Sequence, residues 1–188
     1  KHHRLMLVFN RSEGFKHSAI PYAAQALEIL GKKTGAFETV QSDDLSMLLP
    51  ENLERFDAVC FNNTTQLKVE DPRIRKSLLE FIAGGKGIVG IHAATDNFPT
   101  WSEGQELFGG VFDSHPWTAE GTWAVRITDP SHPVNAGFGG RDFLLKSGDI
   151  GGETRGQTAI TSASLADVNL SICSMYLSVS FCASISAL

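Results

Sequence analysis

Apolar residues in the first hundred positions fall into short runs, separated by stretches in which they recur at three- and four-residue intervals. Residues 4–10 (RLMLVFN) have the length and composition of a buried strand and give way to a polar loop ending near Ser18. Ile20, Ala24, Leu27 and Leu30 then repeat at helical spacing, with Pro21 acceptable in a first turn and Gly31 near a natural stop. Residues 37–41 predict a second strand, after which Leu45, Leu48, Leu49 and Leu53 are spaced to cover a sheet. Residues 56–61 (FDAVCF) predict a third strand, which empties into Asn62-Asn63-Thr64-Thr65. Asp71-Pro72 has the chemistry of a helix start, the carboxylate capping amides that lack a helical partner and the proline fitting the first helical position. Ile74, Leu78, Phe81 and Ile82 supply the apolar stripe, and Gly84-Gly85 ends it.

The run that follows organises the rest. Ile88, Val89 and Ile91 are β-branched and close enough together to be covered on both faces, as in a central parallel strand. The run stops abruptly at His92-Ala93-Ala94-Thr95-Asp96-Asn97. Alternating strands and helices of these lengths predict a parallel sheet with helices on both faces. Ligands of such sheets gather beyond the carboxyl ends of the strands, where His92, Thr95 and Asp96 would stand. Further on, residues 122–127 alternate like a strand, and His115 and His132 fall in loops. From about Ser147 the patterning fails: a glycine-rich stretch precedes residues 168–188, which carry no charge but are diluted by serine and Asn169. That stretch has the length of a membrane span, but its polarity argues instead for a terminal strand pair or an unpatterned tail. The expected organisation is a domain over residues 4–146 and an atypical tail over 147–188.

With 188 residues, 42% of them hydrophobic and 20% charged, the chain can build one sizeable core. A net charge of −5, with Lys and Arg scattered, argues against a nucleic-acid groove. The three cysteines, Cys60, Cys173 and Cys182, lack metal-type spacing and make no disulfide framework; Cys60 sits inside an apolar run and reads as core. Strand-like sequence begins at once, without a basic-then-apolar leader pattern, which fits a cytoplasmic protein while leaving a removed leader open.

Candidate chemistry centres on the strand ends. His92 can transfer protons or bind a hydroxyl or carbonyl because imidazole titrates near neutrality; the alternative is a histidine that only satisfies backbone groups. His17 and His115 suit either a site or a local structural role, whereas His132, between Ser131 and Pro133, reads as structural. Asp96 could orient a histidine or accept hydroxyls, or serve ordinary turn chemistry. Asn62, Asn63, Thr64 and Thr95 offer amide and hydroxyl partners for a polyol. Trp101 and Trp117 could stack on sugar rings or fill a core or lid. No phosphate loop is present. No histidine pair has the helical spacing of a metal site, so no metal ligands are assigned, although ligands from separate loops could still bring in a divalent cation.

His17-Ser18-Ala19-Ile20-Pro21, Phe61-Asn62-Asn63-Thr64-Thr65, Gly90-Ile91-His92-Ala93-Ala94-Thr95-Asp96, Gly109-Gly110-Val111-Phe112-Asp113-Ser114-His115-Pro116 and Asp129-Pro130-Ser131-His132-Pro133 occur in the order found in the ThuA-like trehalose-utilisation family, which the chain resembles from Arg4 to about Leu145. The resemblance implies a flavodoxin-like three-layer α/β/α sandwich, similar to class I glutamine amidotransferases. It also implies a role with trehalose-like disaccharides or their 3-keto derivatives, made by partner sugar dehydrogenases. On that reading His92 is the central acid/base, with His17, His115 and Asp96 around it; the alternative is a non-catalytic sugar-binding or accessory domain. Amidotransferases carry a nucleophilic thiol at the turn where this chain has His92, and imidazole cannot replace it, so glutamine hydrolysis is not expected. The family pattern continues after Leu145 into an acidic and aromatic segment, whereas here Asp149 is followed by Ile150-Gly151-Gly152. The C-terminal part is therefore expected to be incomplete or aberrant.

Overall fold

Four short strands, β1 (Leu5–Phe9), β2 (Glu38–Ser42), β3 (Ala58–Asn62) and β4 (Gly87–Ile91), lie parallel in the order β2-β1-β3-β4 in a computed structural model. The structure describes residues 4–113, 122–132, 135, 138–146 and 180–182. Register places Leu7 beside Val59 and Val59 beside Ile88, and likewise Phe9 beside Phe61 and Phe61 beside Gly90. Because side chains alternate along a strand, these rows share one face of the sheet. That face carries the larger core, with Leu48, Leu53, Phe56, Leu67, Leu78, Phe98, Trp101 and Phe108. The opposite face presents Cys60, Val89 and Ile91, packed with Met6 and Leu27. Helices therefore cover both sides: α1 (Ile20–Thr34) on the Cys60 side, and α2 (Pro50–Leu53) with α3 (Pro72–Ala83) on the Phe61 side.

Phe61 is the hub of the larger core. Its ring stands edge-on to Phe9, Phe98 and Phe108 at centroid distances of 5.8, 5.7 and 5.5 Å, within the range that favours edge-to-face aromatic contact. Gly90 makes this possible, since a β-carbon there would come within 2.9 Å of the Phe108 ring. Cys60 is fully buried and its thiol is pushed up to about 12 by desolvation, so it packs as a core residue and supplies no thiolate.

The helix signals read as expected at α3: the Asp71 carboxylate accepts from the Arg73 amide, and Pro72 opens the helix. At α1 the expected stop was one turn early. The helix runs through Gly31 to Thr34 and closes on Gly35, whose left-handed backbone (φ 61°) lets its amide reach the Gly31 carbonyl at 2.9 Å. Gly31 is there for another reason: a β-carbon would lie 2.4 Å from the Phe37 carbonyl oxygen as the chain returns to β2.

Beyond the sheet, α4 (Ser102–Glu106) leads away from Trp101, and β5 (Thr122–Val125) pairs antiparallel with β6 (Phe143–Lys146) as a separate ribbon. The expected tail falls mostly outside the described residues, but β7 (Ser180–Cys182) adds to the edge of β4 in the antiparallel sense, Ile88 opposite Cys182. An uncharged strand-forming triplet thus extends the open edge of a sheet that the four parallel strands leave unpaired there. No helix among the described residues is long and apolar enough to cross a membrane.

Gly31→Ala tests the close approach at Phe37. Helix propensity alone would favour alanine by about 1 kcal/mol, whereas the backbone clash should lower stability by roughly 1–3 kcal/mol. Denaturant unfolding decides the sign, and an increase in midpoint would show that the two segments separate without cost.

Candidate functional site

β1, β3 and β4 are neighbours, so the loops at their carboxyl ends meet. The first, between β1 and α1, carries His17 and is stitched to the loop after β3. Thr65, buried at the edge of that second loop, donates its hydroxyl to the Phe15 carbonyl at 2.8 Å and lies 2.6 Å from the Ser12 hydroxyl. Its carbonyl accepts from the Glu13 and Gly14 amides at 3.0 and 3.1 Å. Glu13 adds a side-chain tie, accepting from the Lys68 amide and from the Arg11 guanidinium, both at 2.8 Å. Partial burial works against its charge, but these two bonds prevail and hold the carboxyl below its ordinary range.

The third loop begins at His92. This residue sits directly after β4 with left-handed backbone (φ 53°) and opens a 3-10 turn through Asp96, whose Ala93, Ala94 and Thr95 are buried. A strand that breaks sharply into a turn at one strained residue is the geometry by which α/β enzymes expose a nucleophile; here the presented group is an imidazole. The His92 and His17 rings meet edge to face with centroids 4.5 Å apart, and His17 continues to Phe15 at 4.8 Å. Both histidines are half-buried, while Phe15 is 71% exposed, so the three rings run from the sheet toward solvent.

A row of amides supports His92 from the other side. Its Nδ1 lies 2.9 Å from Asn63 Oδ1; Asn63 donates to Asn62 Oδ1 at 2.8 Å, and Asn62 donates to Asn10 Oδ1 and to the Ile20 carbonyl at 2.8 and 2.9 Å. Asn62 and Asn63 are thus close to His92, as expected, but both are buried and their bonds go to the protein. Thr64 is likewise engaged, its hydroxyl accepting from the Asn97 side chain, whose Oδ1 takes the Leu67 amide at 3.2 Å. Asp96 accepts from the Gln66 side chain, and its carbonyl accepts from the Gln66 amide at 2.8 Å. Thr95 is buried, and its carbonyl receives the Phe112 amide at 3.1 Å.

Trp101 requires a correction. It lies in the core, 6% exposed, with Phe98 at 5.1 Å and the Arg75 guanidinium over its ring at 5.7 Å. No ring face is left to receive a sugar. The exposed aromatic beside the histidines is Phe15 instead, a residue that sequence reasoning passed over because it stands in a polar loop rather than at a strand end. Asn10 was also missed, although it directly follows β1 much as Asn62 closes β3, and that parallel was a usable signal. His115 and Trp117 lie outside the described residues. The His132 backbone amide donates to the Asp129 carboxylate in a turn that also binds Ser131. The Ser131 hydroxyl is the main reason that the Asp129 carboxyl lies below its usual range. Among the described residues, no group of three or more His, Cys, Asp or Glu side chains is arranged to hold a metal ion.

A mostly parallel three-layer α/β/α domain, with an imidazole rather than a thiol at the turn after β4, an outermost one of its parallel strands and not the central one that the sequence predicted, defines the class of protein. Residues 5–147 match the family described as ThuA, trehalose utilisation, and the chain belongs to that family. Its fold is similar to the crystal structure of a ThuA-like protein from Bacteroides uniformis, with a TM-score of 0.66 and 18% identity over 90% of this chain and 66% of that one. A ThuA-like protein from Parabacteroides merdae gives a TM-score of 0.57 and 13% identity over 85% of this chain and 62% of that one. The chain therefore spans about two thirds or less of these proteins, and at such identities the likeness is one of fold. No curated protein matches the sequence.

Thr65→Val should loosen the loop that carries His17. Removing one buried hydroxyl that serves both Phe15 and Ser12 is expected to cost roughly 1–3 kcal/mol, measured by denaturant unfolding, with faster proteolytic cleavage within residues 11–16. Unchanged stability and cleavage would show that the loop is held by its backbone bonds alone.

Proposed function

We propose that this domain acts on a trehalose-like disaccharide or its 3-keto derivative, with His92 as the group that moves a proton. The contact of His92, directly after β4, with His17 on the loop between β1 and α1, with Asn63 of the intervening strand's loop behind it, carries this reading: there the fold gathers titratable groups at a strained residue. In the neutral form His92 can take a proton from a hydroxyl or from a carbon next to a carbonyl. In the charged form it can return one to an oxygen. His17, in ring contact, would complete the constellation together with Asp96 and His115. Phe15 offers an exposed apolar face for the C–H side of a sugar ring. A keto sugar must be supplied by oxidation of a secondary hydroxyl, so a sugar dehydrogenase is the partner reaction this chemistry calls for.

The test is turnover of trehalose and its 3-keto derivative by the purified protein and by His92→Ala. The variant should lose about 10²-fold or more in turnover, the scale of a lost acid/base group, with unchanged circular dichroism. Unchanged turnover in the variant would reject the catalytic role. Binding of these sugars without turnover by the parent protein would instead establish a non-catalytic sugar-binding domain.

A further inference from the structure

We infer that Asn62 and Asn63 are positioning residues that decide which nitrogen of His92 carries the proton, holding Nδ1 protonated and leaving Nε2 to accept one. The inference rests on the proposed role of His92 for its catalytic meaning, though the geometry behind it does not.

The direction of every bond in the row follows from one backbone atom. The Ile20 carbonyl can only accept, so the Asn62 atom 2.9 Å from it must be the amide nitrogen. The same nitrogen faces Asn10 Oδ1 at 2.8 Å, which engages both of its hydrogens. The Asn62 oxygen must then point the other way, where it meets the Asn63 nitrogen at 2.8 Å. Asn63 is thereby turned so that its oxygen faces His92 Nδ1 at 2.9 Å, and an amide oxygen accepts only. Nδ1 must donate. Whenever the ring is neutral, the lone pair therefore resides on Nε2.

Burial enforces the order. Asn62 is 0% and Asn63 2% exposed, so turning either amide over would set oxygen against oxygen with little water to relieve it. Free histidine prefers the opposite tautomer, with the proton on Nε2, so the row reverses an intrinsic preference. This is the role that a carboxylate or carbonyl behind an imidazole plays in many active sites, here filled by neutral amides that fix orientation without adding charge.

Nitrogen-15 spectra of histidine-labelled protein, recorded at alkaline pH where imidazoles are neutral, test this without a substrate. His92→Gln assigns the His92 signals by their disappearance. The expected result is a protonated-type signal at Nδ1 and an unprotonated-type signal at Nε2. Asn63→Gly removes the acceptor while suiting the left-handed backbone at that position (φ 51°), and it should move His92 toward the Nε2-protonated form. Asn62→Ala should produce a mixture, because Asn63 could then turn. An Nε2-protonated ring in the parent protein, or a tautomer unchanged in Asn63→Gly, would overturn the inference. If either variant fails to fold, the parent spectrum still decides. Because no turnover enters the measurement, the tautomer can fail while His92 proves catalytic, or hold while the protein proves inactive on sugars.

Discussion

A primary amide buried at the end of a central strand constrains everything near it. Asn62 has no access to water, and each polar atom left without a partner would cost about 1–3 kcal/mol. Its donors therefore demand two acceptors, and these come from Asn10 just after β1 and from Ile20, the first residue of α1. Ile20 in turn donates its amide to the His17 carbonyl at 3.3 Å. One side chain thus ties together the ends of two strands, the start of the helix and the loop that brings His17 to His92. The site histidines are placed by a polar requirement as much as by hydrophobic packing.

The hydrophobic part of the same arrangement lies beneath. Two left-handed residues bracket the turn after β4, His92 at φ 53° and Phe98 at φ 60°, and neither has the excuse of being glycine. Backbone held in that region costs about 1–3 kcal/mol per residue and persists where its surroundings over-determine it. Phe98 shows how. Its ring is buried against Phe61, Trp101 and Phe108, and its amide is bonded to the Leu67 carbonyl at 3.0 Å. The aromatic cluster under the sheet thereby anchors the far end of a turn whose near end is His92, so Trp101 supports the site from within the core.

Much of the scaffold was legible because it depends on local pattern. The apolar runs around Leu7, Val59 and Val89, and the Asp71-Pro72 cap, each show themselves within a few residues. That His17 and His92 would stand on the same side of the sheet was also legible, since parallel strands empty on one side; that their rings touch was not. What sequence could not yield are contacts between segments far apart in the chain. The amide row joins residues 10, 20, 62, 63 and 92, and nothing local distinguishes an asparagine that binds a ligand from one that binds another asparagine. Gly31 misled for the same reason: a glycine that ends a helix and one that admits a carbonyl from elsewhere are identical in sequence. Trp101 looked available only because its cover, Phe98 from the adjoining loop and Arg75 from α3, is assembled by the fold.

The same distinction bears on what this family scaffold can offer a sugar. A polyol is bound by donors and acceptors that can reach it, and here Asn62, Asn63 and Thr64 are buried and bonded to neighbouring protein groups at the strand ends. Rigidity is what they contribute. The exposed groups lie at the outer rim, of which Phe15 is the described example, carried on a loop that Thr65, Ser12 and Glu13 hold against the sheet. An inner shell that fixes the imidazole and an exposed outer rim can vary separately. Substitutions in the loop can therefore change the surface around Phe15 without disturbing the bonds that orient His92.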